Sequence, residues 1–190
     1  MLANLKIGTR LGAAFGVVVL ALVAAVGTGI YSTVTVNEKA QTVIHQDLVK
    51  VVQGETIQVY VRANSARAGE MLAARNKEDI EATKKGMEAN TKRIEEAISN
   101  VEPLINSSEE KTAFAAIAES RGAYRQTVAK IVELVENGDA KKAQEVYFTS
   151  LRPQLNALNK SINAFVDFEK KLAQESGVTA QQAYLTGRNT

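Results

Sequence analysis

The 190-residue chain has no cysteine, no tryptophan, one histidine and two prolines, Pro103 and Pro153. The missing cysteines exclude a disulfide framework, thiolate-bound zinc and thiol catalysis together. His45 has no carboxylates at ligand spacing around it, so it reads as a helix-surface residue and no metal site is expected. A concentrated positive charge is also lacking. Lys6 and Arg10 are the only charges before Glu38, and the rest of the chain carries 21 basic and 21 acidic residues. A nucleic-acid binder shows a basic stripe on its folded part, so that class is excluded. No glycine-rich phosphate loop and no nucleophile with a positioned base appear, so neither an enzyme nor a cofactor is expected.

What is present is an unbroken apolar run, LGAAFGVVVLALVAAVGTGIY, over residues 11–31. A helix crossing a bilayer needs about 20 such residues at 1.5 Å each. Lys6 and Arg10 on one side keep residues 1–10 in the cytoplasm by the positive-inside rule, and Tyr31 falls where an interfacial aromatic sits. Residues 32–190 then lie outside, in a bacterium the periplasm. A cleaved signal peptide is the alternative, and it too exports the remainder.

Few breakers and many Ala, Leu, Lys, Glu and Gln predict helices throughout. One long helix is expected from Ser32 to about Arg75, continuous with the apolar span. A second runs from a cap at Asn76 to about Val101, with Ile80, Met87, Ile94 and Val101 spaced by seven. Ser107 with Glu110 has the reciprocal capping spacing that opens a third. In that helix Phe114, Ile117, Arg121, Tyr124, Val128, Ile131 and Val135 alternate steps of three and four, the pattern of a bundle seam. Asn137-Gly138 stops it. A short piece, Ala140–Phe148, precedes a fourth helix opened by Pro153, with Leu151, Leu155, Leu158, Ile162, Phe165 and Leu172 on its buried face. The expected fold is all-α, an antiparallel up-down-up-down four-helix bundle continuous with an amino-terminal transmembrane helix. Both long helices return towards the membrane, so a second span is expected after Thr190.

Some residues break the apolar pattern. Arg121 occupies a seam position, with Tyr124 one turn on and Arg125 beside it. A buried arginine needs a negative partner. On the first helix Arg62 and Arg67 stand among Ala63, Ser65, Ala66, Ala68 and Gly69, small residues that admit a close neighbour. They are five apart, about 140° around the helix. Two copies about a two-fold axis can each offer one arginine to a shared pocket. Arginine's planar fork matches a carboxylate. Salt bridges to Glu55, Glu70 or Glu119 are the plainer explanation.

The layout resembles the four-helix-bundle sensor domain of methyl-accepting chemotaxis proteins, over essentially the whole chain. NLKIGTRL before the span is similar to the start of such receptors, and AYLTGRNT to their lead into a second span. Arg62, Asn64 and Arg67 match the family's Arg-x-Asn-x-x-Arg run. Met71 stands where the aspartate receptor has a further arginine, which argues against aspartate. Thr149, after Tyr147-Phe148, is similar to a ligand-holding threonine, and Arg121 with Tyr124 to the Arg-x-x-Tyr pair of relatives that bind di- and tricarboxylates. The resemblance implies an inner-membrane homodimer that senses a small organic acid or amino acid. Its signal would be a piston-like shift of the fourth helix. That shift would reach a chemotaxis kinase and adaptor through a cytoplasmic part not in this chain. The same bundle could instead serve a periplasmic protein, a ligand-free dimerising spacer, or another output such as a sensor histidine kinase.

Overall fold

The computed structural model describes residues 7–189, all helices and turns with no strand among them. They divide into two units. One comprises the residues up to 44 and those from 173 on, the other His45–Leu172.

In the first unit, helix α1 (Ile7–Thr42) holds a window of mean hydropathy 2.4, none of it buried, long and apolar enough to cross a membrane. Threonine hydroxyls of α1 bond back to its own backbone. Thr28 Oγ1 donates to the Ala25 carbonyl at 2.9 Å and Thr33 Oγ1 to Gly29 at 2.9 Å. A π-helical turn, Val43–Asp47, carries the chain on as a helix into α2.

The second unit is an antiparallel four-helix bundle of α2 (Leu48–Met71), α3 (Lys77–Val101), α4 (Ser108–Glu136) and the run formed by α5 (Ala140–Val146), a π-helical turn (Tyr147–Leu151) and the start of α6 (Arg152–Asn189). The expected stops and starts are there. Asn76 Oδ1 accepts from the Asp79 amide at 2.8 Å. Ser107 and Glu110 form the full capping box. Gly138, at φ 80°, closes α4, with the Asp139 amide donating back to Leu134 at 2.8 Å. Two boundaries differ from expectation. The first long helix ends at Met71 rather than Arg75. Pro153 opens no separate helix, because the π-helical turn ahead of it joins α5 to α6, with the Arg152 amide donating to Tyr147 O.

The seams bury as the periodicity predicts. Ile117, Tyr124 and Ile131 of α4 are buried, while Phe114, Arg121, Val128 and Val135, the alternate row, are half-buried. Leu151, Leu158, Ile162 and Phe165 fill the α6 side, with Phe165 tilted against Phe114 at 5.5 Å. The helices meet in cyclic order. Asn64 of α2 bonds α3, Ser120 of α4 meets Ser161 of α6 at 3.0 Å, and Gln58 of α2 donates to Asn163 of α6 at 2.5 Å. Gly54 lets α2 approach α6, since a Cβ there would lie 2.6 Å from Val166 Cγ2 with the Phe165 ring behind it.

Gly54→Val should therefore overpack the α2–α6 contact and cost about 2 kcal/mol. Circular-dichroism melting checks it, and an unchanged midpoint would mean that this contact is loose.

Candidate functional site

One end of the bundle, where the chain enters at residue 45 and leaves at residue 172, carries a layer of charge. Lys50 of α2 is 2% exposed. Its Nζ contacts Glu110 Oε1, lies 2.7 Å from Glu169 Oε2 and 3.5 Å from Asp47 Oδ1. All four side chains continue the buried registers of their helices. Asp47 and Lys50 lead into Gly54, Ile57 and Val61; Glu110 lies seven before Ile117; Glu169 follows Leu158, Ile162 and Phe165.

The three carboxylates are held differently. Burial opposes ionisation of Glu110, but the Lys50 hydrogen bond and the Ser107 and Asn106 amides, at 2.6 and 3.0 Å on Oε2, hold its carboxyl at about 2. The same carboxylate thus caps α4 and neutralises Lys50. Burial works against the charge of Lys50 too, yet its carboxylate partners raise its pKa above the ordinary value. Glu169 is the unsatisfied member. Its 2.7 Å contact with Lys50 lacks hydrogen-bond alignment, and neither oxygen has a hydrogen-bond partner among the described residues. Burial above all raises its pKa, Lys50 only partly offsets this, and the charges of Glu110 and Asp47 push the same way.

The six residues selected from sequence are not brought to one point. Arg62 is exposed on α2, its Nε donating to Asn159 Oδ1 of α6 at 3.4 Å. Arg67 turns to α3, its guanidinium laid over Gly86 so closely that a Cβ there would strike it. No carboxylate among the described residues pairs with either. Asn64 is buried and braces α2 to α3, donating to Met87 O and Thr91 Oγ1 at 3.3 and 3.2 Å and accepting from Asn90 at 2.9 Å. The Tyr124 hydroxyl, whose pKa burial pushes up, points inward and donates to Val61 O at 3.0 Å. Thr149 is exposed in the π-helical turn and donates to Glu145 O at 2.8 Å.

Arg121 faces the groove between α3 and α4. Its side chain is 14% exposed, and its Nη2 lies 3.3 Å from Glu95 Oε1, which also meets Arg125 Nη1 at 3.8 Å. Burial, then the charge of Arg125, weakens the hold of Arg121 on its proton without discharging it. The plainer expectation for the arginines as a group is a salt bridge to Glu55, Glu70 or Glu119. Glu55 instead takes Lys170 at 2.8 Å, and the carboxylate that reaches Arg121 comes from the facing helix. Several cavities lie along this groove, among them two that border Arg121 or its partner Glu95. One of about 170 Å3 is lined by both arginines, Gly122, Phe114, Ile117, Ala118, Ile98 and Glu102. One of about 410 Å3 is lined by Lys84, Met87, Glu88, Thr91, Lys92, Glu95, Val128 and Val132.

Over residues 4–184 the chain matches the family described as a four helix bundle sensory module for signal transduction. It belongs to that family. No curated protein matches its sequence. The match covers the apolar helix and the bundle together, and the family is a sensory rather than a catalytic one. In the sequence of this sensory module Glu110 stands out only as a cap, and Asp47, Lys50 and Glu169 carry no motif of their own. The signal was available, because each sits in the register of its helix's buried residues at one end of the bundle.

The two buried glutamates act oppositely with pH. Glu110 contributes stability that is present above its unfolded value of 4.5 and lost as pH falls towards about 2. Glu169 holds its proton more tightly folded than unfolded, so its contribution is present below 4.5 and lost as pH rises through its raised folded pKa. Glu169→Gln, facing the same Lys50, Asp47 and Glu110, should melt higher than the parent near neutral pH, with the gap closing as pH approaches 4.5. A lower midpoint at neutral pH would show that Lys50 depends on an ionised Glu169.

Proposed function

We propose that this sensory module is the outward-facing part of a bacterial chemoreceptor: α1 crosses the inner membrane, the bundle lies in the periplasm, and a small organic acid or amino acid is the stimulus. The observation that carries the reading is the fate of the arginines. Arg67 lies against a glycine of the neighbouring helix, Arg62 meets only an amide oxygen of α6, and Arg121 is drawn into a groove onto a shared carboxylate. Guanidinium groups kept at helix contacts with so little negative charge of their own suit an anion that arrives from solution. Of the six residues selected from sequence, these three keep donors for it, whereas Asn64 and Tyr124 brace the bundle.

A homodimer fits the same picture. α2 exposes Leu48, Val52 and Val59, at 46, 55 and 61%, in a stripe that Arg62 continues three residues on. With Glu55 between Val52 and Val59 these positions follow the three-and-four spacing of a seam, and a second copy supplies a partner for its exposed apolar residues. A piston-like shift of α6 passed to a kinase and adaptor through a cytoplasmic part completes the reading by analogy with the family.

With the 190-residue chain in nanodiscs, a thermal-shift screen of organic acids and amino acids should find anions that raise the melting midpoint by mass action. A folded protein that responds to none would overturn the small-molecule reading. Val59→Glu should weaken self-association at least tenfold by sedimentation, because burying one valine is worth about 1.5 kcal/mol or more and the added charge repels its twin. Unchanged association would place the dimer contact elsewhere.

A further inference from the structure

We propose that each protomer carries a complete monocarboxylate site in its α3–α4 groove, where Arg121 and Arg125 grip the carboxylate and the cavity beside Gly122 takes the apolar body. This rests on the organic-anion reading above and gives it a place and a ligand class.

Charge is the first argument. Arg121 and Arg125 stand one turn apart on α4, and both reach a single oxygen, Glu95 Oε1, at 3.3 and 3.8 Å. A guanidinium carries five N–H donors and is matched by both oxygens of a carboxylate, so one shared oxygen leaves most of the two forks unused. Arg121 has also been taken largely out of water beside a like charge. A carboxylate that replaced Glu95 would meet both forks with two oxygens. Glu95 is free to yield, being 52% exposed and bordering the larger cavity as well.

Gly122 is the second argument. It lies in the interior of a 29-residue helix, where glycine is a weak helix former. Its backbone does not need glycine, since Gly138 is the glycine with positive φ among the described residues. Its packing does not need it either, because nothing lies within 4 Å of where a Cβ would stand. What glycine does here is leave the cavity wall open.

The rest of the wall sets the ligand class. Ile98, Phe114 and Ile117 offer an apolar lining, and about 170 Å3 suits a small acid rather than a peptide. Glu102 on the same wall repels a second negative charge, so a monocarboxylate is favoured over a dicarboxylate. Binding would replace the Glu95 tie between α3 and α4 by a bridge through the ligand, which couples occupancy to the spacing of that helix pair.

The test is calorimetric titration of the 190-residue chain in nanodiscs with hexanoate, against adipate and hexylammonium at the same ionic strength. Hexanoate should bind once per protomer, adipate at least tenfold more weakly, and hexylammonium without saturable heat. Arg121→Gln should cost at least tenfold. Gly122→Leu should abolish binding while its melting midpoint does not fall, and Lys141→Gln, on α5, should leave affinity unchanged. Hexanoate binding that survives both Arg121→Gln and Gly122→Leu would overturn the groove site. So would one hexanoate per two chains, lost on Arg62→Gln, which would place the anion on the exposed α2 face and leave organic-anion sensing standing. No hexanoate binding, with other anions still raising the melting midpoint, would likewise sink only the groove site; no response to any anion would sink both.

Discussion

A single buried ammonium sets the conditions for the rest of the bundle. Lys50 is out of water, so it needs negative partners, and they come from its own helix, from α4 and from α6. The layer therefore fixes three helices at the end where the chain enters and leaves. Such a layer is a poor source of stability, because desolvation takes back much of what pairing gives. Its value is register. Sliding any one of the three helices by a turn would leave a charge alone in an apolar surrounding, whereas Leu and Ile positions tolerate exchange with one another.

Away from that end, the polar contacts are weaker and divided by face. The α2–α3 contact is tied by the Asn64 amide to Asn90, Thr91 and the Met87 carbonyl, and the α4–α2 diagonal by the Tyr124 hydroxyl on Val61 O. The α3–α4 face is different. Its half-buried row leaves cavities, and its crossing contacts, Arg121–Glu95 and Lys84–Glu136, are partly solvated and screened by salt. This is the side of the bundle with room for something else.

The helices and their caps were readable from sequence because their signals are local: capping spacing, Asn-Gly, and apolar residues every three and four. The α4 seam is legible as a set of seven positions, but that only the row of Ile117, Tyr124 and Ile131 is fully buried depends on how the neighbouring helices pack. Partner choice was not readable. Glu55 and Glu119 lay within reach on a list of residues, but only the packing of α3 against α4 shows that Glu95 meets Arg121, and only three helices meeting at one level show that Lys50 is surrounded. Arg121 stands out as an exception to its seam, whereas Glu169, which fills the α6 stripe between Phe165 and Leu172, and Lys50 on α2 hold the same kind of position without being singled out by the sequence. Tyr124 was legible as a seam residue, but which way its hydroxyl turns depends on the carbonyl opposite.

The π-helical turn at Tyr147–Leu151 has a consequence for how this sequence can change. Ala143 before the turn and Leu151 at its end, both buried, are eight residues apart, whereas Leu151 and Leu158 are seven apart. One residue has been absorbed as a wider loop of helix, and the apolar stripe re-enters in phase. Deleting a single residue from this turn leaves a continuous α-helix with its stripe intact. The same deletion elsewhere in the long run rotates every later side chain by about 100° and turns the core face outward. This turn is where the helix can lose one residue and keep its apolar stripe in phase.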